Sequence, residues 1–374
     1  MGAAWRGLAA ALGVLLGLLA VELAARAALA GSPAGPVSPL DDEDRANLWA
    51  WRERRSGIDL RPDLSGPVCH DSVLGWRNRP GLVDFVWEGR PPISTNTSGM
   101  RGAREYTKER SGPRRRVALV GDSFVFGLDQ PDARIFAALL AQQLDAEVLN
   151  FGVPGYGTDQ SYLMLVGEVL AWKPDDVVFG LFAENPKRAQ RRFSFYAKPR
   201  FQLLAGSEGG LELEGVPVPA PEELLVDASQ GERGSYTPAV VQLVRRWHAR
   251  TSGGIAEPPE LLELHRRLLA AAQHSVAEVG ARLTVLYIPG SGYTTAPVGP
   301  VEATLPAWAD AHGFALLNLR QVFVAAEREP GAERGAFYLP GRHFSPRGHQ
   351  LVAEVLGQHL AEQGAVPLAA SAPR

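Results

Sequence analysis

The sequence is poor in cysteine and has little excess of either charge, and both absences restrict what the protein can be. Its 374 residues include one cysteine, Cys69, so no disulfide can form within the chain. The 38 Lys and Arg residues are offset by 41 Asp and Glu residues, which leaves no basic surface for binding nucleic acid. Internal repeats, a phosphate-binding loop and zinc-ligand spacings are also missing, so we expect no cofactor and no metal.

The longest apolar run lies at the N-terminus, in residues 7–30. Only Glu22 and Arg26 interrupt it, and their four-residue spacing allows them to pair on one helix face. A helix of this length can span a bilayer core of about 30 Å, which predicts a membrane anchor with the remaining chain in the periplasm. The alternative is a signal peptide cleaved at Ala28-Leu29-Ala30, which would release a secreted protein.

Short apolar runs alternate with amphipathic segments beyond residue 112, a pattern typical of an α/β protein. The predicted strands are Val117–Val120, Glu147–Asn150, Val177–Phe182, Arg282–Ile288 and Ala315–Leu319. The predicted helices are Ile135–Leu144, Ser161–Trp172, Leu261–Val279 and Ser345–Glu362. We therefore expect a short, doubly wound parallel sheet with helices on both faces.

Four segments carry polar residues at candidate site positions, here called the polar segments: 121–127, 150–158, 180–185 and 343–349, the last at the start of the predicted C-terminal helix. Three of them follow predicted strands, and the carboxyl ends of parallel strands meet at the sheet edge where catalytic groups gather. The first segment carries Ser123, and the last carries His343 and His349. We expect His349 to lie on a helix surface rather than to act as a second base. A serine hydroxyl becomes a good nucleophile when a base takes its proton, and histidine titrates closest to neutral pH.

The order serine, glycine, asparagine and histidine resembles the four blocks of the SGNH (GDSL-type) hydrolases, in particular membrane-anchored bacterial members. The resemblance covers residues 117–364 with one insertion, and it implies a flavodoxin-like, three-layer α/β/α fold. It also implies Ser123 as the nucleophile and His343 as the base. The oxyanion hole would consist of the backbone N–H groups of Ser123 and Gly155 and the side-chain amide of Asn185.

The sequence departs from the family pattern at the acid that orients the histidine. The family places an aspartate two or three residues before the base, where this chain has Gly341 and Pro340. A backbone carbonyl or another carboxylate could orient His343 instead. The candidate carboxylates are Asp129, Glu184 and Glu333. Two interpretations stay open: a Ser–His enzyme, or a degenerate domain that binds glycan without turnover.

We expect an exported serine esterase that acts on acyl groups of a cell-envelope glycan or lipid. The alternative activity is O-acyl transfer to an envelope polysaccharide at the same site. The N-terminal helix would associate with the membrane. The predicted organisation is a signal anchor (1–30), a linker and lead-in (31–112), a hydrolase domain (113–364) with an insertion (186–257), and a tail (365–374). Within the insertion, the sequence predicts a hairpin over 200–214 and a helix over 238–250.

Overall fold

The computed structural model describes residues 66–110, 112–204, 210–226, 259–340 and 343–364, with a few residues of the N-terminal part (17, 19–25, 44, 48 and 51). Most of the predicted anchor at 7–30, the predicted helix at 238–250 and the tail at 365–374 lie outside these residues. Within the described part of the chain, no helix is both long enough and apolar enough to cross a membrane.

The chain divides into two compact units. The larger unit contains the sheet and all four polar segments, and it comprises Pro62–Gln190, Lys198–Ala220 and Pro258–Arg374. The smaller unit comprises Met1–Arg61, Arg191–Ala197 and Pro221–Glu257.

The strands, in chain order, are β1 (Val68–Asp71), β2 (Gly75–Asn78), β3 (Arg116–Gly121), β4 (Glu147–Gly152), β5 (Asp176–Phe182), β6 (Arg200–Leu203), β7 (Leu211–Glu214), β8 (Arg282–Ile288) and β9 (Ala315–Asn318). The helices are α1 (Ser123–Phe126), α2 (Phe136–Leu144), α3 (Thr158–Gly167), α4 (Asn185–Ala189), α5 (Pro221–Val226), α6 (Pro259–Glu278), α7 (Pro300–His312), α8 (Leu319–Ala326) and α9 (Pro346–Gly364).

The central sheet has five parallel strands in the order β4-β3-β5-β8-β9. The chain starts in the middle and winds outward in both directions, which is the doubly wound order 2-1-3-4-5. The predicted α/β class and parallel sheet are confirmed, and each predicted strand matches an observed one to within two residues at either end. The turn between β3 and α1 lies at the carboxyl edge, where strand order reverses.

The sheet is buried on both faces, which explains why its strands read as continuous apolar runs. On one face, Leu119, Val178 and Leu286 pack with α2, α8 and α9 in a single hydrophobic cluster. In a second helical layer, α6 contacts both α3 and α7. Fully burying an aliphatic side chain such as Leu119 contributes about 1.5–3 kcal/mol.

Residues 66–110, here called the lead-in segment, form the β1–β2 hairpin and a series of turns. The fully buried Trp76 donates from its indole N–H to the Pro154 carbonyl at 2.8 Å. The Asn78 amide donates to the Gly152 carbonyl, also at 2.8 Å. The lead-in segment thus holds the loop that follows β4.

The insertion contains the predicted hairpin over 200–214, which the structure forms with β6 and β7. The helices α7 and α8 were not predicted. Pro300 and Pro306 both lie within α7, and prolines are ordinarily read as helix breakers.

Replacing Gly152 by alanine should destabilise the fold, because a Cβ there would lie 2.3 Å from the Phe126 nitrogen and 2.7 Å from the Val125 carbonyl carbon. We expect Gly152→Ala to lower the free energy of unfolding by about 1–3 kcal/mol, measured by urea denaturation. The matched control is Gly167→Ala, where a Cβ would meet no heavy atom within 4 Å. Equal stability of the two variants would contradict this close approach of β4 to α1.

Candidate active site

The nucleophile candidate Ser123 is the first residue of α1, two residues after the end of β3 at Gly121. The preceding Asp122 has an extended backbone and accepts a hydrogen bond from the Phe124 N–H through Oδ1 at 2.9 Å. Asp122 therefore caps the helix, and the Ser123 hydroxyl is left available to another partner. The Ser123 residue is 6% exposed.

The base candidate His343 contacts Ser123 directly, with 2.8 Å between Nε2 and Oγ. Its ring packs edge-to-face on Phe124, with 4.9 Å between ring centroids. The His343 carbonyl accepts from the Leu339 N–H at 2.9 Å, which closes the turn that carries the base. The first and last polar segments thus meet although 220 residues separate the two side chains in the chain.

The other ring nitrogen of His343 lies 2.8 Å from Oδ2 of Asp129. A carboxylate accepts hydrogen bonds, so Nδ1 carries the proton and Nε2 can accept from the serine hydroxyl. Asp129 is 7% exposed and has a φ of 73°, a left-handed conformation that aspartate tolerates better than most residues. The side chains form the sequence Ser–His–Asp.

Of the three carboxylates considered from the sequence, only Asp129 contacts the base within the described residues. The Glu184 side chain is 67% exposed and faces Arg188, at 3.8 Å. Glu333 is exposed on the surface. One feature of the sequence could have favoured Asp129: it follows Ser123 by six residues in an otherwise apolar stretch. Pro340, at one of the positions where the family places its acid, has no carboxylate.

The predicted oxyanion donor Gly155 lies in a tight turn from Val153 to Tyr156, closed by a 3.3 Å hydrogen bond between the two. Pro154 and Gly155 occupy its central positions, and the glycine has a φ of 86°, as a type II turn requires. The backbone N–H groups of Ser123 and Gly155 donate no hydrogen bond to any part of the chain that the structure describes. Both are therefore available to a ligand.

The third predicted donor, Asn185, is buried and already engaged. Its Nδ2 donates to Asp122 Oδ2 at 3.0 Å and to the Tyr156 carbonyl at 2.9 Å. Its Oδ1 accepts from the Phe182 N–H. Asn185 joins the first three polar segments, and its role as an oxyanion donor stays a prediction, as do the catalytic roles of Ser123 and His343.

The neighbours of Asn185 support the same network. Pro186 occupies the first turn of α4, where a missing backbone N–H costs no helical hydrogen bond. Arg188 Nη1 lies 3.0 Å from Asp122 Oδ2 and 3.3 Å from the Tyr156 carbonyl oxygen. The arginine therefore shares both acceptors with Asn185 and offsets the charge of the buried Asp122.

One expectation about the last segment is wrong. The sequence indicated that His349 is on a helix surface, but the structure buries it completely. Its Nδ1 accepts from the Phe136 N–H at 3.0 Å, and its ring stacks on Phe136. Burial, together with the nearby His343, lowers the pKa of His349 to about 3, so this ring is neutral and structural.

A serine, a histidine and a carboxylate joined in this order form the catalytic arrangement of the serine hydrolases. Solved structures similar to this chain include a lipase/acylhydrolase, an esterase and a GDSL-like lipase. No protein-family model and no curated protein matches the sequence.

The identity, coverage and TM-score of these three structures are as follows. A lipase/acylhydrolase from Enterococcus faecalis is 17% identical, with a TM-score of 0.38, over 69% of this chain and 100% of the other. A psychrotrophic esterase from Pseudoalteromonas sp. is 12% identical (TM-score 0.37; 67% and 98% covered). A GDSL-like lipase from Bacteroides thetaiotaomicron VPI-5482 is 10% identical (TM-score 0.37; 67% and 89% covered). The function proposed below rests on the side chains of the site.

Replacing Asp129 by asparagine should remove the acid and disturb the histidine tautomer while it preserves the shape of the side chain. We expect the kcat for p-nitrophenyl acetate to fall by about 10⁴-fold, as in other serine triads. The control variants are Glu184→Gln and Glu333→Gln, which should keep wild-type rates. Loss of activity in either control but not in Asp129→Asn would assign the acid elsewhere.

Proposed function

We propose that the protein is an acyl hydrolase that cleaves carboxylic esters through an acyl-enzyme on Ser123. The observation that supports this most strongly is the pair of 2.8 Å hydrogen bonds that links Ser123, His343 and Asp129. The alternative of a degenerate binding domain rested on the missing acid before His343. Because the Asp129 carboxylate lies beside His343, that reason no longer supports the alternative.

In the first half-reaction, Ser123 Oγ attacks the ester carbonyl carbon while its proton moves to His343 Nε2. Asp129 stabilises the imidazolium that forms and does not take the proton itself. The tetrahedral intermediate then collapses, and the bond from carbon to the leaving oxygen breaks. His343 returns its proton to that oxygen, so an alcohol leaves and the acyl group stays on Ser123.

In the second half-reaction, water attacks the acyl carbon and His343 takes its proton. The second tetrahedral intermediate releases Ser123 as the proton returns to Oγ, and the carboxylic acid departs. Transfer to a sugar hydroxyl would follow the same steps with that hydroxyl in place of water.

The negative oxygen of each intermediate needs preorganised donors. The free N–H groups of Ser123 and Gly155 are suited to this, because fixed backbone donors cost no reorganisation during the reaction. The Asn185 amide would join them only if one of its N–H groups left Asp122 or Tyr156, whose oxygens Arg188 can still satisfy. Losing one such donor typically costs about 2.7–4 kcal/mol of transition-state stabilisation.

We further propose that the enzyme acts outside the cytoplasm on acyl groups of an envelope glycan or lipid. The support is the apolar run at residues 7–30, which would carry the site across the membrane and keep it near envelope substrates.

The nucleophile is tested by labelling with a p-nitrophenyl alkylphosphonate, which should add one phosphonyl group to the wild type as measured by intact mass. Ser123→Ala and His343→Ala should both abolish labelling and ester hydrolysis, with equal losses of roughly a million-fold in kcat, because the pair acts as a unit. The controls are Ser98→Ala on the lead-in segment and His274→Ala on the exposed face of α6. A wild type inert to both reagents, or a labelled Ser123→Ala variant, would refute the proposal.

The location is tested by fusing a C-terminal reporter that is active only outside the cytoplasm. We expect an active reporter that stays with membranes after carbonate washing, and an inactive one when residues 1–30 are deleted. An inactive reporter on the full chain would contradict export, and a soluble product starting near Gly31 would favour the signal-peptide interpretation.

A further inference from the structure

The acid Asp129 is held by an arginine from the lead-in segment. Arg90 donates from Nε to Asp129 Oδ1 at 2.9 Å, while Oδ2 of the same carboxylate faces His343 Nδ1. The Asp129 side chain is 4% exposed and that of Arg90 is 20% exposed. The chain of polar contacts therefore extends beyond the Ser–His–Asp sequence to a fourth residue, Arg90.

Arg90 is itself fixed by two neighbours. Its guanidinium carbon lies 4.5 Å from the centroid of the Trp87 ring, and its Nη1 donates to Glu88 Oε2 at 2.7 Å. A planar guanidinium held over an aromatic ring and by a carboxylate loses little further freedom when it binds Asp129. The lead-in segment thus presents the Nε–H of Arg90 in a fixed direction.

The loop that carries Asp129 has further contacts with the same segment. The Ser94 N–H donates to Asp132 Oδ1 at 3.2 Å, and the buried Arg101 donates to the Gln130 carbonyl at 2.8 Å. Arg101 also forms an ion pair with Asp132. The acid and the residues after it therefore depend on the lead-in segment for their position.

Two properties of Asp129 make such support necessary. Its backbone has the left-handed conformation, which an aspartate adopts at an energetic cost unless its surroundings fix it. Its carboxylate is almost fully buried, and a buried charge needs an opposite charge and hydrogen bonds to stay ionised. Arg90 supplies both to the oxygen that His343 does not use.

We propose that Arg90 is a positioning residue that keeps the Asp129 carboxylate oriented toward His343, so that the lead-in segment forms part of the catalytic apparatus. The inference rests on the proposed esterase function for its kinetic consequence. The proposal also states that Arg90 sets the electrostatic environment of the His343 ring, and this part can be tested in the protein without substrate.

The charges near the His343 ring determine what removing Arg90 should do. Asp129 favours the imidazolium, Arg90 behind it opposes that effect, and the nearby His349 stays neutral. Removing the arginine charge would leave the Asp129 carboxylate beside the His343 ring without an opposing cation. The acidic limb of the pH profile of kcat/KM, on which protonation of the base lowers the activity, should then move to higher pH.

The experiment compares wild type, Arg90→Met and Arg90→Lys, with Arg77→Met as the matched control. Arg77 is also a lead-in arginine in an ion pair, with Glu168 Oε2 at 2.7 Å. We expect Arg90→Met to lower kcat/KM for p-nitrophenyl acetate by up to about 100-fold. Its acidic limb should move up by roughly one pH unit. Arg90→Lys should restore the position of the limb and part of the rate, and Arg77→Met should match the wild type.

Titration with the phosphonate gives the active fraction and separates positioning from damage to the fold. The proposal would be overturned if the rate loss in Arg90→Met were fully explained by a smaller active fraction and the acidic limb stayed at the wild-type pH. So would wild-type kinetics. A nuclear magnetic resonance titration of the His343 ring, assigned by its loss in His343→Ala, tests the same shift without substrate. Thus an inactive wild type would refute the esterase function, whereas an unshifted His343 resonance in Arg90→Met would refute the role of Arg90.

Discussion

The buried carboxylate of Asp122 is the constraint on which the site depends. It is 1% exposed, and removing a charge from water costs several kcal/mol unless partners compensate. One oxygen caps α1 at Phe124, and the other accepts from Asn185 and Arg188. The end of β3, the start of α1 and the start of α4 must therefore meet at one point. Ser123 is fixed at the sheet edge as a consequence.

The sheet, and the meeting of Ser123 with His343, could be predicted from the sequence, because each depends on local patterns. Strands buried on both faces appear as short, continuous apolar runs, and the strands over 117–120 and 177–182 were found in this way. Ser123 and His343 lie in compact motifs whose residue types already indicate their chemistry. The boundaries of α3 were less accurate, since its first turn lies in the glycine-rich loop before Ser161.

The remaining parts depend on contacts between distant segments. Of the three candidate carboxylates, Asp129 contacts His343 because a loop conformation brings it to a histidine 214 residues away. The burial of His349 depends on α2 packing against α9, which helical periodicity alone does not reveal. The partnership of Arg90 with Asp129 joins two irregular segments that carry no periodic signal at all.

Ser123 and Asp129 lie six residues apart on one short stretch of chain, whereas His343, which contacts both, lies more than 210 residues later in the sequence. A shift of the C-terminal turn would separate His343 from both partners together, because neither partner moves with it. The contacts of His343 with Ser123 and Asp129 therefore form or break together, depending on how the last turn and helix pack. An enzyme with its acid next to its histidine would instead keep the acid–base pair intact when the same turn moved.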